Sequence, residues 1–153
     1  MDWLAKLLRR TPLRTFILYP LLAVAWELLI HRRLNVQPIF LPLMVWGYLQ
    51  YRLCGRYRLK RGGGGPGIET PPERLVLSGP YAYTRNPMYL GHIIFLAGLA
   101  LTLQSLFAVV IALVTAIWFH LRVRRDEAKL LELWGEPYRR YLLVVKRWIP
   151  SLF

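Results

Sequence analysis

Ser78-Gly79-Pro80-Tyr81-Ala82-Tyr83-Thr84-Arg85-Asn86-Pro87-Met88-Tyr89-Leu90-Gly91 marks the place where a basic, glycine-rich segment gives way to a long apolar run. Gly79, Pro80 and Pro87 fix φ or remove backbone donors, so the first half of this stretch predicts an ordered, non-helical turn. Asn86 precedes Pro87 as an N-cap precedes N1, and from Met88 onward the chain reads as a helix entering a membrane. A polar, backbone-rich loop against a helix N-terminus suits an anionic or zwitterionic small molecule. On the residues alone, a membrane-entry turn with interfacial tyrosines is the favoured reading of the same stretch.

Downstream, residues 88–121 are almost unbroken in apolarity. One helix of that length would measure about 50 Å against a hydrocarbon core of about 30 Å. Thr102-Leu103-Gln104-Ser105 supplies a polar break, which predicts a hairpin of two short helices. From Phe119 the second helix is expected to continue into solvent through Arg122 and Glu127 to Trp134, where Gly135 ends it. Glu136-Pro137 then opens an amphipathic helix over Tyr138–Trp148. Upstream, 54–87 reads as a cytosolic loop, and its run Gly62–Gly65 lacks the strand-then-helix context of a nucleotide fingerprint. It is read as a flexible linker or lid. Residues 15–53 hold two further spans, Thr15–Ile30 and Val36–Leu53. Residues 1–14 read as an uncleaved, amphipathic interfacial helix. Glu27 lies inside the first span, where a carboxylate is a candidate functional group. Its nearness to His31 and Arg32 favours snorkelling to the surface.

Composition agrees with this pattern. The 153 residues suffice for one domain, with a hydrophobic fraction of 56%, six Trp and nine Tyr, and a mean hydropathy of +0.33; together these suit an all-α integral membrane protein with aromatic belts. The formal charge of +13 comes from clusters lying between apolar runs, which argues against nucleic acid as the partner and for a topology signal. With four spans and both termini inside, 19 of the 21 basic residues fall on the cytosolic side, as do both ends of the chain and the 78–91 stretch. Localisation follows as an integral membrane protein, in the inner or plasma membrane if bacterial. The single cysteine, Cys54, excludes an internal disulfide, and no Cys/His cluster has metal-ligand spacing. His31 and His120 read as interfacial, and His92 as either a site residue or, more in keeping with its setting, a packing residue.

Gly-Pro-Tyr-x-x-x-Arg-Asn-Pro-Met-Tyr-x-Gly resembles the signature of the integral-membrane methyltransferases that include isoprenylcysteine carboxyl methyltransferase and phosphatidylethanolamine N-methyltransferase. A second block, Arg122, Asp126-Glu127, Leu130-Leu131 and Trp134-Gly135-Glu136-Pro137-Tyr138, is similar to the same family, the two together covering roughly residues 73–150. The resemblance implies S-adenosyl-L-methionine as methyl donor, held by Glu73, Arg74, Leu75, Val76, Tyr81, Arg85, Asn86, Pro87, Met88 and Tyr89 together with Asp126 and Glu127. One of the paired acids would meet the donor's ammonium, with Glu127 favoured. Arg122 and Glu127 are the implied catalytic residues, Arg122 on the acceptor side. Asn86 stands where the carboxyl methyltransferases commonly have histidine, as Glu73 does at the start of the donor stretch.

The implied partner is an amphipathic, lipid-like acceptor arriving from the bilayer. A cation beside it suits a carboxylate, which needs no general base. An amine would have to lose a proton to Asp126 or Glu127. Arg122 leans towards the carboxylate, Asn86-Pro87-Met88-Tyr89 towards the amine. Outside this family, a non-catalytic basic scaffold that gathers anionic membrane lipids fits the same charge pattern. Oligomerisation is open.

Overall fold

The computed structural model describes residues 10–64 and 72–149. Among them every regular element is helical: α1 Thr11–His31, α2 Leu41–Gly62, α3 Pro87–Leu103, α4 Leu106–Trp134 and α5 Glu136–Val144, with short 3₁₀ turns at Pro38–Phe40 and Gly79–Ala82. Two compact units divide the chain: Met1–Leu49 with Gly91–Ala116, and Gln50–Leu90 with Ile117–Phe153.

Helices α1 and α4 are long and apolar enough to cross a membrane, while α3 is a shorter apolar helix of 17 residues. At 29 residues, α4 is about 44 Å long, so some 14 Å exceed a hydrocarbon core. The charged run from Arg122 onward forms the C-terminal end of this helix. Leu21 and Leu29 on α1 and Leu113 on α4 are more than half exposed, which water would penalise and lipid would not.

Helix α1 begins at Thr11, four residues earlier than the sequence suggests. Pro12 sits in its first turn, where a missing N–H costs nothing. The interfacial helix expected over 1–14 otherwise lies outside the described residues. Around Pro20 the helix widens over Arg14–Leu18, so that the Tyr19 N–H reaches back to Arg14 O. This relieves the clash of a proline ring with the carbonyl four residues before it.

The core of the first unit is Ala23, Phe95, Leu96, Leu99, Ala100, Leu103 and Ala108. Gly47 and Gly98 let α2 and α3 approach closely. A Cβ at Gly47 would lie 2.5 Å from Phe95 N, and one at Gly98 would lie 2.9 Å from Met44 N. His92 is fully buried and stacks on Phe16 at 4.7 Å between ring centroids, a packing role.

The hairpin break falls where the sequence places it. Gln104 has φ 48, and Ser105 Oγ accepts the Ala108 N–H as the N-cap of α4. Glu27 departs from expectation. It is buried rather than snorkelling, because Ser105 Oγ donates to it at 2.5 Å and His31 Nδ1 lies 2.7 Å away.

In the second unit α2 continues to Gly62, nine residues past the predicted span, so the expected 54–87 loop is a helix for its first part. Its Leu59, Lys60 and Arg61 are ordinary helix formers, which extend a turn already nucleated in the span. Arg74 N donates to Gly62 O at 2.9 Å and draws the ends of the following loop together. Helix α4 ends at Trp134, and Gly135 turns the chain with φ +56. Helix α5 stops at Val144 rather than reaching Trp148. Val145 is extended, and the terminal carbonyls of α5 are taken by Arg85, whose Nη1 donates to Leu142 O at 2.9 Å and to Val145 O at 2.7 Å.

Candidate active site

The second unit contains a cavity of about 380 Å³, within the usual size of a small-molecule site. Three segments build it. The 3₁₀ turn and the start of α3 contribute Tyr81, Arg85, Asn86, Pro87, Met88 and Tyr89, and the stretch before them contributes Pro72, Leu75 and Val76. Helix α4 contributes Asp126, Lys129, Leu130 and Leu133, which fall at helical spacing on one face. Tyr138 and Tyr141 of α5, and Arg58 of α2, complete the wall.

Among the described residues the charge distribution is uneven: one carboxylate, Asp126, shares the wall with three cations, Arg58, Arg85 and Lys129, amid aromatic and aliphatic surface. Tyr89 Oη donates to Asp126 Oδ2 at 2.8 Å, and the Tyr89 ring meets Phe119 edge-on at 4.9 Å. Arg122 Nε stands 3.7 Å from the same Oδ2, and its guanidinium lies 5.3 Å over the Trp118 ring. Tyr141 Oη donates to Tyr81 O at 2.6 Å, tying α5 to the 3₁₀ turn. Burial raises the pKa of Tyr81, Tyr138 and Tyr141 well above the usual phenol range, so all three remain neutral donors.

The paired acids part company. Asp126 lines the cavity. Glu127, one residue on, is not part of the cavity wall and is buried between two arginines. Its Oε1 accepts from Arg85 Nε at 2.9 Å, and its Oε2 accepts from Arg147 Nε at 3.1 Å and Nη2 at 2.8 Å. Successive helical residues are about 100° apart, and here the two arginines take up Glu127 while Asp126 is left to the cavity.

The chain from Tyr81 to Asn86 is stitched to the tail after α5. Arg85 N donates to Lys146 O at 3.0 Å, and Thr84 Oγ1 and Asn86 Nδ2 donate to Arg147 O at 3.1 and 3.2 Å. Asn86 thus occupies the N-cap position, with its carbonyl accepting from Leu90 N, while its side-chain amide nitrogen serves the tail.

Of the residues singled out from the sequence, Leu75, Val76, Tyr81, Arg85, Asn86, Pro87, Met88, Tyr89 and Asp126 converge on the cavity. Glu73 and Arg74 are exposed beside it, and Arg122 and Glu127 stand outside its wall. Sequence reasoning missed Arg58, Pro72, Lys129, Leu130, Leu133, Tyr138 and Tyr141 as wall residues. The α4 members could have been found by stepping three, four and seven residues from Asp126. Arg58 carries no such signal.

The site fits a ligand with an α-amino-acid end and a cationic centre. Cations and one acid are available for the carboxylate and ammonium, aromatic faces for the positive charge, and aliphatic surface for a nucleoside. Comparison with known proteins converges on the same segment. Residues 64–136 match the phospholipid methyltransferase family. The chain is 34% identical over 79 residues to a protein-S-isoprenylcysteine O-methyltransferase of Schizosaccharomyces pombe, covering 51% of this chain and 34% of that protein. It is also 34% identical over 85 residues to methanethiol S-methyltransferase 1 of Bradyrhizobium diazoefficiens, covering 55% of this chain and 29% of that one. The chain thus spans about a third of the length of the curated relatives it matches.

Proposed function

We propose, from the match of residues 64–136 to the phospholipid methyltransferase family, that the chain is a membrane methyltransferase moving a methyl group from S-adenosyl-L-methionine to a lipid-like acceptor. The observation that carries this reading is the cavity itself, with Asp126 opposite Arg58, Arg85 and Lys129 among tyrosines. Asp126, held by Tyr89, would take the donor's ammonium, in place of the Glu127 favoured on sequence grounds. Arg85 and Lys129 would take its carboxylate, and Leu75, Val76 and Met88 its nucleoside. The donor supplies an activated methyl group for in-line displacement, so the protein's own work is positioning and exclusion of water.

Arg122 stands at the edge of this arrangement, paired to Asp126 and backed by Trp118. We assign it to the acceptor, where a fixed cation favours a carboxylate such as that of a prenylated cysteine. An amine acceptor is the second reading, favoured by the family's own description as phospholipid methyltransferases. Asp126, the one carboxylate lining the cavity among the described residues, would then be the candidate base. We further propose four spans with both termini cytosolic, α2 and α3 joining α1 and α4 in the bilayer and α5 lying on its surface. Reporter fusions after Asn35 and after Gly135 should then report opposite faces.

The decisive experiment is calorimetry of the detergent-solubilised protein with S-adenosylhomocysteine. Micromolar binding is expected, and absence of binding leaves the basic scaffold as the better account. Transfer of labelled methyl groups into prenyl-cysteine analogues or into total lipid extract then separates carboxylate from amine.

A further inference from the structure

Glu127 and Arg147 take no part in lining the cavity, yet they are among the most heavily engaged side chains of the second unit. Arg85 is the link between them and the site. Its Nε donates to Glu127 Oε1 and its Nη1 to two carbonyls, Leu142 O and Val145 O. Its Nη2 makes no hydrogen bond among the described residues, and Arg85 lines the cavity. A guanidinium is planar, so fixing Nε and Nη1 fixes where Nη2 points.

The Nε and Nη2 edge of an arginine is also the fork that a carboxylate chelates with both oxygens. Glu127 does not do so, because Arg147 holds its second oxygen through Nε and Nη2. We infer that Arg147 is a positioning residue for the cavity: by occupying Glu127 Oε2 it keeps Glu127 monodentate on Arg85 and leaves Arg85 Nη2 available to an anionic group in the site. This rests on reading the cavity as the methyl-donor site, where that group is the donor's carboxylate.

Without Arg147, the Glu127 carboxylate is free to turn and chelate Arg85, drawing Nη2 out of the cavity. Both contacts from Arg147 go to one oxygen, so a single point charge can replace them. Arg147→Lys should therefore work where Arg147→Met does not. The same exchange at Arg85 should fail, because lysine cannot satisfy Glu127, two carbonyls and a ligand in fixed directions.

The test compares two probes by calorimetry: S-adenosylhomocysteine, which carries the amino-acid end, and 5′-methylthioadenosine, which lacks it. In Arg147→Met the first should bind about tenfold more weakly, with the second unchanged. Arg147→Lys should restore the first, and Arg147→Gln, which can still donate one N–H, should lie between. Equal losses for both probes would mark a merely structural role and overturn the inference, as would unchanged S-adenosylhomocysteine binding in Arg147→Met or Arg147→Gln. If the parent protein binds neither probe, the donor-site reading itself fails and the inference falls with it.

Discussion

Among the described residues each unit buries one glutamate, and the two are handled differently. Glu27, in the first, is held by the Ser105 hydroxyl and by His31 one turn further along α1. Glu127, in the second, is held by two guanidiniums that themselves fasten a loop and a tail. The first arrangement satisfies a buried acid with a hydroxyl and an imidazole and joins α1 to the start of α4. The second builds a charged junction through which the wall of a cavity is set. A buried carboxylate marks a constraint in both cases, but only the charge and reach of its partners say whether it bears on a site.

The largest effect is expected at the charged junction. Glu127→Ala leaves Arg85 and Arg147 without their counter-charge where the Arg85 side chain is only 10% exposed, and should cost about 3–5 kcal/mol. Thermal melting in detergent reads this directly, and a shift no larger than that of a surface variant would erase the distinction between the two glutamates. Arg122→Ala comes next. Under donor saturation it should lower methyl transfer by about 2–4 kcal/mol in the activation barrier, with S-adenosylhomocysteine affinity nearly unchanged. Loss of donor affinity with normal turnover would move Arg122 to the donor side.

Asp126→Asn sharpens the contrast between neighbouring acids. It should weaken S-adenosylhomocysteine binding about tenfold while leaving the melting temperature near that of the parent, because Asp126 is half-buried and its Tyr89 partner can still donate to an amide oxygen. The reverse outcome, with Asn tolerated, would return the ammonium to Glu127. Glu27→Gln should do least. The amide oxygen can still accept from Ser105, so donor binding should be unaltered and the melting temperature should move less than for any variant above. A loss of donor binding there would show that Glu27 belongs to the machinery after all.

The sequence by itself determined the helical, membrane-seeking character, because apolar runs of near-bilayer length are a one-dimensional property. It also marked the break at Thr102–Ser105, the end of α4 at Gly135, and the two blocks that supply most of the cavity wall, since turn chemistry and helical spacing are local. Tertiary structure decided the rest. Which of Asp126 and Glu127 lines the cavity depends on the rotation of α4 against the Tyr81–Tyr89 stretch and on the two arginines that take up Glu127. That α5 ends at Val144 depends on Arg85, some sixty residues earlier in the chain, capturing its last carbonyls. Glu27 is buried because Ser105 lies within a hydrogen bond of it across seventy-eight positions of sequence. No periodicity encodes a partner that far away: its presence depends on packing, and packing is what turns a charge expected at the surface into a satisfied one inside.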